Sequence, residues 1–264
     1  MYDDKLRTAV VGTANVLQSV DFIAEHERST HIKYFVIDDA PKNFPDKIKF
    51  IGREKISEVL RGFDVVFVLT ALTDAATCKT AHLIADCVKK ENIFLSVGII
   101  QSVDKKFSDA PNYLEKNFGV VINLEDQQLN LPAENFSYKI VHGIHSIYDE
   151  EFYPYLMPVD GADLVELLTC GKKTFVSFGE ASGEKPTVAA VNAAIDSPFV
   201  KNNLQSARSV FLNILGDDSL LMLEVGEATD PVYEATNPDG KYYSVVNRDE
   251  ALGEKIFVMV IVRV

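Results

Sequence analysis

Gly62-Phe-Asp-Val-Val-Phe-Val-Leu-Thr-Ala71 runs without a break into Leu72-Thr73-Asp74-Ala75-Ala76-Thr77-Cys78 and on to Lys90. The apolar run reads as a strand covered on both faces. Ala75–Lys90 has the length and composition of the helix that follows such a strand. The same alternation repeats outward. Further strands are expected at Thr8–Val11, Tyr34–Ile37, Phe94–Ile99 and Val120–Leu124, with the quoted one centred on Val65–Leu69. Further helices are expected at Val16–His26, Glu54–Leu60 and Tyr113–Lys116. This rhythm belongs to an α/β fold built on a Rossmann-like, doubly wound parallel sheet.

A helical stretch, Ala133–Tyr148, then leads into Tyr153-Pro-Tyr-Leu-Met-Pro158, whose prolines mark a boundary. Beyond it the pattern becomes α+β: a helix from Asp160, a strand Thr174–Gly179, a helix Thr187–Ile195, and strands Ser209–Ile214, Tyr242–Asn247 and Lys255–Val264. The last is apolar except for Lys255 and Arg263, so it is expected near the middle of a second sheet. The expected organisation is an N-terminal domain over residues 1–132, a connecting core helix and loop over 133–157, and a C-terminal domain over 158–264.

Length and composition agree. At about 150 residues per domain, 264 residues suit one large or two smaller domains. Apolar residues at 47% and charged residues at 25% are ordinary for a globular chain. A net charge of −13 repels phosphate backbones and anionic lipid, so neither nucleic acid nor a membrane surface is an expected partner. Three cysteines make no disulfide framework, and Met-Tyr-Asp-Asp-Lys at the start has no signal-peptide pattern. A cytoplasmic protein is expected.

Ser182-Gly183-Glu184, then Ala193-Ala194-Ile195-Asp196-Ser197-Pro198, then Ala207-Arg208 and Val210-Phe211-Leu212-Asn213-Ile214 resemble, in order and spacing, the C-terminal domain of FtsZ. The closing apolar strand fits as well. Pro158-Val-Asp160-Gly-Ala-Asp163 is similar to the family's synergy loop, N-x-D-x-x-D, with Pro in place of Asn. Gly62–Ala71 and Ala81–Val97 resemble the strand before, and the helix and strand after, the signature of the nucleotide domain. The resemblance implies a bacterial-type, FtsZ-like cytoskeletal or cell-division protein of the tubulin superfamily. It also implies head-to-tail contact with an authentic FtsZ or with itself.

The departures lie in the phosphate loops. The signature G-G-G-T-G-T-G is replaced by Leu72–Cys78, without a glycine. The first phosphate loop offers only Gly12-Thr-Ala-Asn15, and about a dozen residues separate Asp39 from Gly52, where the family has a longer loop. Glycines there let backbone N–H groups close on phosphate oxygens, which a Cβ obstructs, and Asp74 adds a like charge. Losing about four charge-assisted hydrogen bonds of ~1.5–3 kcal/mol removes ~6–12 kcal/mol, against ~8 kcal/mol for a whole micromolar complex. No cofactor is therefore expected, and the leading reading is a structural or polymer-modulating interaction protein rather than an enzyme. The alternatives are a divergent filament-forming GTPase using GTP and Mg²⁺, and a cleft that binds a non-nucleotide small molecule.

By resemblance the degenerate cleft is lined by Gly12, Thr13, Asn15, Asp38, Thr70, Ala71, Thr73, Asp74 and Thr77, and the acidic pair of the synergy loop is Asp160 and Asp163. The pair also fits a plain helix start, with an N-cap Asp and a second carboxylate in the first turn. Asp38 and Asp39 end a strand where dinucleotide enzymes hold a ribose, but G-x-G-x-x-G is missing after the first strand. Cys78, His82 and Asp86 share a helix face, as do His142, His145 and Asp149; both stripes suit packing or capping better than a metal.

Overall fold

Parallel strands buried on both faces need apolar side chains at successive positions, and the first half of the chain supplies them. The computed structural model describes residues 6–38, 46–127 and 131–264. Asp39 lies outside them. The chain divides into two compact units, Met1–Val141 and His142–Val264.

The first unit carries strands β1 (Thr8–Thr13), β2 (Ile32–Ile37), β3 (Ile48–Ile51), β4 (Val65–Leu72), β5 (Leu95–Val103) and β6 (Val120–Asn123). They form one sheet in the order β3-β2-β1-β4-β5-β6, and every pairing is parallel. All of β1 and β4 is buried, as covering on both faces requires. Helices α1 (Leu17–His26), α2 (Ile56–Leu60), α3 (Ala75–Lys90) and α4 (Ala110–Glu115) connect them. Ile84, Ala85 and Val88 of α3 pack in one cluster with Val66 and Val68 of β4. The helices expected from Val16 and from Glu54 each begin with a 3₁₀ turn, Ala14–Val16 and Arg53–Lys55; the helix expected at Tyr113–Lys116 spans Ala110–Glu115, and β3 has no counterpart among the expected strands.

Helix α5 (Ala133–His145) begins in the first unit and ends in the second. The second unit has strands β7 (Tyr155–Met157), β8 (Thr174–Ala181), β9 (Ser209–Gly216), β10 (Lys241–Arg248) and β11 (Ile256–Arg263), in the order β7-β10-β9-β11-β8. The closing strand thus lies inside the sheet, between β9 and β8 and antiparallel to both. Helices α6 (Gly161–Thr169), α7 (Pro186–Ile195), α8 (Pro198–Lys201) and α9 (Met222–Ala235) complete it. The boundary read at Tyr153–Pro158 needs correcting, because Tyr155–Met157 is an edge strand of this sheet, paired with β10. Prolines on either side of three residues confine the strand to an edge rather than end a domain.

Two buried asparagines close the C-terminus of α5. Asn213 of β9 donates from Nδ2 to the Gly143 carbonyl (2.7 Å) and the Ser146 hydroxyl (2.8 Å), and Asn247 of β10 donates to the Ser146 carbonyl (2.6 Å). Orphan carbonyls of a buried helix end need such donors. Gly143 admits the sheet: a Cβ there would stand 2.6 Å from Met259 Sδ.

Candidate functional site

In a sheet of this order, neighbouring connections diverge between β1 and β4, and ligands of such folds bind at the carboxyl ends of the strands at that point. Here the carboxyl end of β1 brings Gly12 and Thr13, with Asn15 in the turn that follows. The end of β4 brings Thr70 and Ala71, and Thr73 and Asp74 follow before α3. These cleft residues therefore gather at the carboxyl ends of the two central strands. Asp38 stands at the end of β2, its backbone N–H donating to the Ile51 carbonyl (3.3 Å).

The rim of this crevice is bound to itself. Asn15 donates from Nδ2 to the Ala71 carbonyl (2.8 Å) and to Thr73 Oγ1 (3.2 Å), bridging the end of β1 to the end of β4. The Thr13 hydroxyl donates to Asn15 Oδ1 (2.8 Å) and lies 3.2 Å from the Thr70 hydroxyl. Thr13 and Thr70 are both buried. Gly12 serves packing, since a Cβ would come within 2.5 Å of Val20 Cγ2 on α1.

Asp74 is the N-cap of α3. One carboxylate oxygen accepts from the Thr77 N–H (2.8 Å) and the other from the Thr77 hydroxyl (2.7 Å). These bonds, the hydroxyl's foremost, hold its carboxyl below the usual range. The N-terminus of a long helix is an anion site because its N–H groups are orphaned and its dipole end is positive. Here a carboxylate of the chain already occupies that position.

Gln101, near the end of β5, was not singled out by sequence. Its amide donates to Ser19 Oγ on α1 (2.7 Å) and Ser137 Oγ on α5 (2.9 Å), tying both helices to the sheet. A glutamine inside the apolar run Leu95–Val103 was the available signal.

In the second unit Asp160 is exposed at the N-cap of α6 and accepts from the Ala162 N–H (2.7 Å), with Asp163 in the first turn. Both carboxylates thus sit where the positive end of a helix favours them. The histidine stripes are used in packing. The His82 ring lies 4.3 Å from that of Tyr113, whose hydroxyl donates to Asp86 (2.5 Å). Cys78 is buried, and burial is the main cause pushing its thiol up. His142 Nε2 is 3.6 Å from Asp249, and His145 Nε2 is 3.4 Å from Asp149. Among the described residues no three metal-ligating side chains converge, and no helix is long and apolar enough to cross a membrane.

Residues 173–263 match the family model of the FtsZ C-terminal domain. The fold of the chain is that of FtsZ and tubulin. A point mutant of FtsZ from M. jannaschii superposes with a TM-score of 0.81 at 18% identity, over 98% of this chain and 91% of its own. An empty FtsZ dimer from M. jannaschii gives 0.80 at 18%, over 99% and 89%. CetZ1 from Haloferax volcanii, a GDP-bound monomer, gives 0.70 at 13%, over 98% and 94%.

Proposed function

We propose that this FtsZ-like chain has given up GTP binding and works as a structural, polymer-modulating protein that docks head-to-tail on an authentic FtsZ. The observation that supports this reading is the Asp74 carboxylate on the N-terminus of α3. A phosphate group seated there would lose the Thr77 N–H and meet a like charge. No glycine between Leu72 and Cys78 offers a second way for backbone N–H groups to reach it. The Asn15 bridge spends the amide donors that the neighbouring strand end could have turned toward a ligand.

The second unit carries the acidic pair at the start of α6, with Asp160 exposed. A filament of this kind is a heterologous stack, one face of each subunit meeting the other face of the next. A subunit with one competent face joins an end and stops further growth there. Light scattering tests this. The chain alone is expected to give no rise with GTP and Mg²⁺, whereas added at substoichiometric amounts to an assembling FtsZ of the same cell it lowers polymer mass. The double variant Asp160→Ala, Asp163→Ala loses that effect. A GTP-dependent rise by the chain alone would favour the divergent GTPase, and the absence of any effect on FtsZ would remove the proposal.

A further inference from the structure

The surface of the second unit has one feature that its packing does not require. Helix α9 turns Val225, Ala228, Thr229 and Val232 inward. Yet Leu221, Met222 and Leu223, consecutive at its start, are 63%, 48% and 79% exposed. Tyr233, near the end of the helix, is exposed too. Contiguous large apolar side chains left in water mark a surface that is covered by something else.

Beside this ridge opens a cavity of about 400 Å³, lined among others by Pro186, Thr187, Leu220, Leu221, Glu224 and Glu254. Glu224 accepts from the Thr187 N–H (2.7 Å), so the N-terminus of α7 is satisfied from within. The Thr187 hydroxyl, in a side chain 1% exposed, has no hydrogen-bond partner. Lys185 also lines the cavity, its ammonium held by Glu227 (2.7 Å). With that cation engaged, the carboxylates of Glu224 and Glu254 beside aliphatic carbon suit an occupant that is cationic at its tip and apolar along its stem, as lysine and arginine are.

The wider surface has the same sign. From Asp217 to Asp239 the chain carries seven carboxylates and no lysine or arginine. Nearby cations are engaged: Lys185 with Glu227 (2.7 Å), Arg248 with Asp218 (3.0 Å) and Lys255 with Glu180 (3.3 Å). A second copy, at net charge −13, meets this face with like charge, and nucleic acid or anionic lipid fares no better.

We propose that the start of α9 and the adjoining cavity form a docking site for a basic amphipathic segment of a partner protein. Its apolar side chains cover Leu221 and Leu223, and a lysine or arginine reaches the cavity toward Glu224 and Glu254. The site shares no residue with the crevice or with the Asp160–Asp163 pair, and it stands whether or not nucleotide binds.

Fluorescence anisotropy on the full chain tests it, at an ionic strength of about 0.15 M, where exposed charges more than ~8 Å apart are screened. The probe is a labelled peptide of about 18 residues, roughly five helical turns, with leucine on one face and lysine on the other. The control is the same peptide with glutamate for lysine. The lysine peptide is expected to bind and the glutamate peptide not to. The double variant Leu221→Ser, Leu223→Ser weakens binding at least about tenfold, because each uncovered leucine forfeits apolar burial. Asp230→Lys with Glu234→Lys weakens it several-fold, while Glu115→Lys, on the other unit, leaves it unchanged. Circular dichroism verifies that each variant is folded. Equal affinity of the serine variant and the parent chain would overturn the proposal, as would equal binding of both peptides. So would sedimentation showing that the parent chain self-associates through these leucines.

Discussion

Replacing Asp74 with alanine tests the cap that closes α3 against anions. The carboxylate accepts two hydrogen bonds, from the Thr77 N–H and the Thr77 hydroxyl, both on a solvent-exposed first turn. Losing an N-cap of this type costs about 0.5–2 kcal/mol, typically ~1. In a protein of this size, ~1 kcal/mol moves the thermal midpoint by about 2–4 °C. Urea unfolding of parent and variant reads the same difference as a shift in midpoint at unchanged slope. The pH dependence has a defined sign. The Asp74 carboxyl is held below its ordinary range in the folded chain, so its contribution is fully present above the unfolded value near 3.9 and is lost as pH falls through the lower folded value. The gap between parent and variant should therefore be constant through neutral pH and narrow only below about pH 4. A Thr77→Ala variant and the double variant complete a cycle, with a coupling of about 0.5–1.5 kcal/mol expected for a pair in direct hydrogen-bond contact. A loss below about 0.3 kcal/mol, well under the range for a working cap, would refute the cap, and strictly additive variants would refute the hydroxyl's share in it, since the Thr77 N–H remains in Thr77→Ala.

Asn213→Ala should cost about 2 kcal/mol by urea unfolding, since two buried hydrogen bonds to the end of α5 disappear and the Ser146 hydroxyl loses a donor; under ~0.5 kcal/mol would mean the helix end is satisfied otherwise. Gly179→Ala places a Cβ 1.9 Å from the backbone oxygen of Ala190, so β8 and α7 must separate; a loss above about 3 kcal/mol or failure to fold is expected, beyond ordinary overpacking. Arg263→Met removes a buried guanidinium that donates to the carbonyls of Cys170 (2.8 Å) and Gly171 (3.0 Å) and to Thr174. The stranded acceptors should cost about 3–5 kcal/mol in thermal or urea unfolding.

The fold was legible where burial is two-sided. Val65–Leu72 and the closing strand are runs of apolar residues because water touches neither face. Strand β3, Ile48-Lys-Phe-Ile51, escaped reading because an edge strand of this length carries a lysine and no clear period. Helix α9 escaped because Gly226 and Pro231 interrupt it and Leu221–Leu223, apolar but exposed, obscure its buried stripe. Arg263, an apparent exception in an apolar strand, is buried because the carbonyls of Cys170 and Gly171 receive it, a partnership set by chain closure far away in sequence. At the crevice, the missing glycines of Leu72–Cys78 and the charge of Asp74 could be read directly. The Asn15 bridge and the Gln101 ties could not. They depend on the β1–β4 pairing and on the placement of α1 and α5, and no local pattern encodes them.

Calorimetric titration of the full chain with GTP and GDP in the presence of Mg²⁺, at high protein concentration, bears most directly on the account. With the N-terminus of α3 held by Asp74, no binding should appear at concentrations where a micromolar site, worth about 8 kcal/mol, would saturate. Micromolar binding of either nucleotide would contradict the account and restore the divergent GTPase.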